Sequence, residues 1–198
     1  MFDAATTITI GLRTIHGKAD ITVRWPTDEE WGAHRKRRRI VQRQLGRGMT
    51  ETEIDATEAD VKLYEAIKMN GAAPLSVAEA SRVVDTLSTC DVLGVDLQAD
   101  DAEVQLTTLM GAVKHIVRIP TMDEVRALQR STRLISMQYN RSEIRTNLEA
   151  SAALWDKCGG RAEGYAGPVP NIHKDTAIRA VIAAVEQEAM PKYDESNF

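Results

Sequence analysis

One segment of the chain occurs twice at a fixed distance, and this repetition constrains the fold more than any other feature. Residues 21–31 (ITVRWPTDEEW) return as residues 115–125 (HIVRIPTMDEV), 94 positions later. The same offset places Leu12 on Leu106, Thr14 on Thr108 and Gly17 on Gly111. Solenoid repeats recur every 20 to 50 residues or so, which is about half this distance. We therefore predict a tandem duplication of a small module, with copies at residues 1–89 and 90–198.

Each copy begins with a pattern typical of two paired strands. Ile8, Ile10 and Leu12 alternate with polar or small residues, and the alternation resumes over residues 21–25 after a glycine-containing turn. Period-two patterning on both sides of such a turn predicts a β-hairpin. The second copy repeats the pattern over residues 104–119, and a further strand is predicted at residues 92–97.

A Pro-Thr-x-x-Glu motif follows each hairpin and predicts the start of a helix. In a capping box the threonine hydroxyl accepts from the amide three residues on, and the glutamate accepts from the threonine amide. Thr27 with Glu30, and Thr121 with Glu124, have this spacing. Helix initiation explains every position of the motif without a catalytic role.

Three helices are predicted after each hairpin, so the fold class is α+β. The predicted helices of the first copy are 28–45, 58–69 and one that opens with a capping box at Ser76 and Glu79; those of the second copy are 122–139, 142–157 and 174–189. Their apolar residues recur at helical spacing, which is typical of one buried face. We place the boundary between the copies at residues 87–91, and the tail 191–198 has no periodicity.

Composition is that of a soluble globular protein. The net charge of −4 gives no global attraction to nucleic acid or to an anionic membrane, and the apolar runs are shorter than the roughly 20 residues that span a bilayer. Cys90 and Cys158 have no metal-ligand spacing, and the N-terminus lacks the pattern of a signal peptide. We expect a cytoplasmic protein.

A basic run at residues 35–39 is the strongest charge feature. Such density suggests phosphate binding, but five consecutive basic residues wrap more than one turn of a helix and present no single face. The acidic stretch at residues 51–60 could fold back and neutralise the run. Nucleic-acid binding, an internally paired surface and an acidic protein partner remain open alternatives.

No pattern of residues in the chain indicates a catalytic site. The four histidines are scattered, without partners at zinc-site spacing; they are His16, His34, His115 and His173. The glycines of residues 159–167 fail the context of a phosphate-binding loop. We predict no catalytic residue, no cofactor and no metal, and hence no enzyme.

At residues 23–27 and 117–121 the chain resembles the tail assembly chaperones of long-tailed bacteriophages, which open with a β-hairpin that ends in a similar segment before a short helical bundle. The resemblance implies a cytoplasmic, non-enzymatic protein that binds the tape-measure protein, keeps its apolar helices soluble and recruits tail-tube subunits. The candidate partner-binding residues are the apolar stripe positions and the basic run: Leu63, Ile67, Leu148, Trp155, Arg35, Arg37, Arg38 and Arg39.

Two other classes of function remain open. A structural subunit of a virion or other assembly would form stable oligomers and use a hairpin edge for strand addition between subunits. A nucleic-acid-binding accessory protein would work through residues 35–43, with binding that falls steeply as salt rises.

Overall fold

A computed structural model of the chain describes residues 4–14, 17–46, 49–69, 72, 74–132, 141–144 and 146–189. Over these residues the fold is α+β, with six helices and small antiparallel sheets. The helices are α1 Asp28–Arg37, α2 Thr57–Ile67, α3 Val77–Ser88, α4 Met122–Thr132, α5 Leu148–Lys157 and α6 Asn171–Glu188. The strands are β1 Thr7–Thr14, β2 Gly17–Arg24, β3 Arg39–Gly46, β4 Met49–Asp55, β5 Cys90–Leu97, β6 Asp101–Thr108, β7 Gly111–Arg118, β8 Arg141–Ile144 and β9 Arg161–Glu163.

The strands form three sheets, with orders β1-β2, β4-β3-β8 and β5-β6-β7-β9. Both predicted hairpins are confirmed, and so is the additional strand, which is β5. β1 pairs with β2 from Thr7↔Arg24 to Thr14↔Gly17, and β6 pairs with β7 in the same register 94 residues later. Gly17 and Gly111 have φ values of 116° and 112°, in the left-handed region that glycine adopts most readily.

The predicted helix 28–45 is wrong beyond Arg37. Arg38 ends α1 with an extended backbone (φ −63°, ψ 129°), and residues 39–55 form the β3–β4 hairpin. Ile40 and Val41 are β-branched, and β-branched residues favour a strand. Gly46, which was expected to end the helix, is instead the last residue of β3, and residues 47–48 lie outside the described part.

The predicted helices of the second copy also need correction. Residues 141–144 form β8, which pairs with β3, and α5 begins only at Leu148 because the Asn147 side chain accepts from the Ala150 amide at 3.1 Å. α4 is described to Thr132, and the rest of the predicted helix 122–139 lies outside the described residues. α6 begins at Asn171, directly after Pro170, rather than at residue 174.

Two hydrophobic cores hold these elements together. The first joins the inner face of the β1–β2 hairpin to α1, α2 and α3, and it also takes in Leu148 and Ile172 from α5 and α6. The second joins the β5-β6-β7 face to α4, α5 and α6. The boundary predicted after residue 89 falls between α3 and β5, yet the first core draws on residues from both sides of it.

Polar contacts also connect the two halves. The Asn171 amide donates to Asp28 Oδ1 at 2.9 Å, and Lys36 Nζ lies 2.8 Å from Glu149 Oε1. In both pairs α1 of the first half meets the N-terminal end of a second-half helix. Among the described helices, none has the length and apolar content needed to cross a membrane.

Candidate functional site

The repeated motif builds the same joint between hairpin and helix in both halves. In the first half Thr27 and Glu30 form the predicted capping box, with the Glu30 amide 3.2 Å from Thr27 Oγ1 and the Thr27 amide 2.9 Å from Glu30 Oε2. Arg24, at the end of β2, donates from Nη1 to Glu30 Oε2 at 2.7 Å. This hydrogen bond is the main reason that the pKa of the Glu30 carboxyl is lowered.

The second joint repeats these bonds at the same offset. Thr121 donates its amide to Glu124 Oε2 at 2.8 Å, and Arg118 Nη2 lies 3.1 Å from Glu124 Oε1. The Thr121 amide and then the Arg118 guanidinium lower the pKa of Glu124 to about 2. The motif therefore ties the end of a strand to the start of a helix, and its charged groups are occupied in doing so.

The basic run does not form one face. Arg35 and Arg37 lie in the last turn of α1, Arg38 ends that helix and Arg39 begins β3. The acidic stretch does fold back on it, because β4 pairs antiparallel to β3 and places Asp55 opposite Arg39.

Ion pairs then take up part of the positive charge around the run. Arg43 Nη2 lies 3.2 Å from Glu53 Oε2, and Lys36 is paired with Glu149 as described above. Lys36 of the run and Arg43 beyond it are thus paired within the chain.

The apolar stripe residues lie in the cores. Leu63 and Ile67 of α2 and Leu148 of α5 belong to the first core, and Trp155 of α5 belongs to the second, each with at most 4% of its surface exposed. In this conformation these four residues form no surface that a partner could contact.

An exposed surface lies instead on the sheet formed by β4, β3 and β8, which we name the arm sheet. β3 and β4 come from the first half and β8 from the second. None of the described helices packs extensively on either face of it. The side chains of residues 50–55 are exposed, and Ile54, opposite Ile40, has 53% of its surface exposed.

The two faces of the arm sheet differ in chemistry, because alternate residues of a strand point to opposite faces. One face carries Ile40, Gln42, Thr52 and Ile54, all uncharged. The other carries Arg39, Arg43 and the acidic residues of β4. The arm sheet therefore offers one neutral, partly apolar face and one charged face.

Buried rings connect the two halves in the interior. His115 Nε2 lies 2.8 Å from the Tyr165 hydroxyl, which lies 3.1 Å from His173 Nδ1. The His173 ring packs edge-on against Trp25 of the first half, with centroids 6.1 Å apart. His115 packs against Trp155 in the same way at 5.8 Å.

Burial governs the protonation of these groups. His115 and His173 have at most 1% of their surface exposed, and desolvation lowers the pKa of each to about 4. Burial also raises the pKa of Tyr165. Both histidines are therefore neutral at pH 7. Since a neutral imidazole has one donor and one acceptor nitrogen, the Tyr165 hydroxyl can donate to one ring and accept from the other.

A third buried histidine, His34, lies between α1 and α2. His34 Nε2 is 2.7 Å from Asp60 Oδ1, and both side chains are almost fully buried. Desolvation lowers the pKa of His34, against the opposing effect of Asp60. No group of three or more histidine, cysteine or acidic residues that could hold a metal occurs in the described part of the chain. His16 lies outside that part.

Sequence reasoning missed the arm sheet and the histidine–tyrosine contacts. Residues 39–55 did contain a signal for the β3–β4 hairpin, because β-branched residues lie on both sides of a glycine-containing segment. The pairing of β3 with β8 and the meeting of His115, Tyr165 and His173 join distant parts of the chain, and no local pattern reports them. Comparison of the chain with protein-family models, curated proteins and solved structures found no match.

Proposed function

We propose that the chain is a non-enzymatic tail assembly chaperone of a long-tailed bacteriophage or prophage, acting in the host cytoplasm on a tape-measure or tail-tube protein. The class of protein is inferred from the resemblance at the two Val-Arg-x-Pro-Thr segments. The surface that binds the partner is inferred from the fold. The observation that carries the proposal is the arm sheet, which has no described residue in either core and leaves Ile54 of its neutral face exposed.

We also propose that the two halves descend from one duplicated module. The two hairpin-to-helix joints have the same register, the same glycine turn and the same arginine–glutamate pair. The second helices support the same idea. α2 buries Asp60, Leu63, Tyr64 and Ile67, and α5 with the C-cap residue that follows it buries Ser151, Leu154, Trp155 and Cys158 at identical spacing. The halves differ in the β3–β4 hairpin, which has no counterpart among the described second-half residues.

The neutral face of the arm sheet fits an amphipathic helix of the partner. Ile40 and Ile54 lie opposite each other across β3 and β4, with Gln42 and Thr52 beside them. No charge lies at these positions, so the apolar stripe of a helix can pack there without desolvating an ionic group. The apolar stripes of α2 and α5 are already buried in the cores.

The test is co-expression with a tape-measure protein, followed by measurement of its soluble fraction. Replacing residues 41–53 with Gly-Gly shortens the arm sheet between Ile40 and Ile54, which are already paired in register. We expect the full chain to keep the tape-measure protein soluble and the shortened chain to lose this effect while its helical circular dichroism is retained.

Variants on the two faces of the arm sheet give a matched control. Ile54→Asp places a charge on the neutral face and should abolish the effect, whereas Arg39→Gln with Arg43→Gln changes only the charged face and should leave it. Co-purification of nucleic acid that is lost at high salt and in the arginine variant would instead favour the nucleic-acid-binding class. Equal solubility with all variants would refute the role of the arm sheet.

A further inference from the structure

The two hairpins differ in what lies beside them. β5 pairs along the outer edge of β6 over the whole strand. The equivalent edge of β1 has no strand beside it among the described residues, where the first sheet consists of β1 and β2 alone. The second half thus shows the form that this hairpin takes when an antiparallel strand is added to it.

The outward-facing backbone groups of β1 can be assigned from its register. The Trp25 amide donates to the Thr6 carbonyl at 2.7 Å, so even-numbered residues of β1 bond to β2. Odd-numbered residues direct their amide and carbonyl groups outward: Thr7, Thr9, Gly11 and Arg13. Only at the end of the strand does one of these groups receive a described side-chain bond, a long one of 3.4 Å from Arg82 to the Arg13 carbonyl.

Other described edges carry protection against strand addition. β4 has three acidic residues, β5 has a bulge between Val92 and Gly94, and β8 and β9 have four and three residues. β2 is bridged at Val23 by Lys68. Charges, bulges and short length are the usual devices that keep edges from pairing. β1 has eight residues, a regular register and a single charge.

We infer that β1 pairs antiparallel with β1 of a second copy of this chain, about a two-fold axis at Ile10, to form a four-stranded sheet β2-β1-β1-β2. The register follows from the assignment of the outward groups. With Ile10 opposite Ile10 of the second copy, Thr9 lies opposite Gly11 and Thr7 opposite Arg13. These are the residues with outward groups, and they form about eight backbone hydrogen bonds.

The side chains suit this pairing. Ile8 and Leu12 come to lie opposite each other on the inner face, which already packs on the first core. On the outer face no two like charges meet, because Arg13 lies opposite a threonine. Self-pairing of β4 would bring its acidic residues together in any antiparallel register, and like charges directly opposite are destabilising. The charge pattern therefore selects β1 for a second copy.

The test is sedimentation velocity of the full chain over a wide range of concentration, with two variants that differ only at position 9. Both carry Gly11→Lys, which places a positive charge near Asp20 of the same chain. Thr9→Lys sets like charges opposite each other across the two-fold axis, and Thr9→Glu sets opposite charges there. We expect a dimer for the wild type and for Thr9→Glu/Gly11→Lys. For Thr9→Lys/Gly11→Lys we expect a dissociation constant raised about tenfold or more.

A wild-type chain that stays monomeric at every concentration would overturn the inference, as would equal behaviour of the two variants. A cross-linking measurement serves if the lysine variants fold poorly. Thr9→Cys with Gly11→Cys should give a disulfide-linked dimer, because facing residues of a bonded pair lie about 5.5 Å apart at Cα. Thr9→Cys alone should not, since residue 9 faces residue 11. The inference does not depend on the proposed function, and the arm sheet is untouched in these variants.

Discussion

The two buried histidines on either side of Tyr165 should make the free energy of unfolding fall between pH 7 and pH 5. Each has a folded-state pKa of about 4, against 6.5 for an exposed imidazole. The unfolded chain therefore takes up protons first as the pH falls. The contribution of the neutral rings to the free energy of unfolding has its full value above about pH 6.5 and is lost progressively toward pH 4. Between pH 7 and 5 this amounts to about 2 kcal/mol for each histidine, or roughly 4 kcal/mol together.

Isosteric variants measure this contribution. His115→Gln keeps a polar group near the position of Nε2, and His173→Asn keeps one near Nδ1, so each can still reach the Tyr165 hydroxyl. Urea unfolding at pH 7 and pH 5, followed by tryptophan fluorescence, gives the fall in stability for each protein. The double variant should lose most of the fall and keep the part due to His34, whose pKa is also lowered. A fall as large in the double variant as in the wild type would refute the reasoning.

Two further predictions concern the second half. Glu124→Gln weakens both the capping box and the bond to Arg118, and it should lower the free energy of unfolding in urea by about 1 kcal/mol. The control Asp123→Asn changes an exposed side chain and should lower it much less. Equal losses would contradict the role of the joint. Gly160→Ala would put its Cβ 2.2 Å from the Trp155 ring and should lower the melting temperature clearly. In the control Gly94→Ala the new Cβ has nothing within 4 Å, so the melting temperature should not fall. An unchanged melting temperature for Gly160→Ala would contradict the packing against Trp155.

Local signals predicted much of each half. The hairpins, the capping boxes at Thr27 and Ser76 and the start of α4 at Met122 agree with the structure, because alternation and capping act over a few residues. The length of α1 could not be predicted from the same signals. Residues 35–45 carry good helix formers such as arginine and glutamine, but the β-branched Ile40 and Val41 and the pairing with β4 and β8 make a strand instead.

The candidate surface depended on contacts that local patterns do not report. Amphipathic stripes mark buried faces, but they do not say whether a core or a partner covers them, and here the cores cover Leu63, Ile67, Leu148 and Trp155. The arm sheet requires β8, about 100 residues after β3 in the chain, to complete it. The tail at residues 191–198 lies outside the described residues.

Hydrogen exchange of the protein alone and in complex with the tape-measure protein tests the binding surface most directly. The proposed function predicts that the amides of β3, β4 and β8 gain protection in the complex, while those of α2 and α5 change little. Protection gained in α2 and α5, with the arm sheet unchanged, would show that the partner opens the cores to reach the helical stripes, and it would contradict the assignment of binding to the arm sheet.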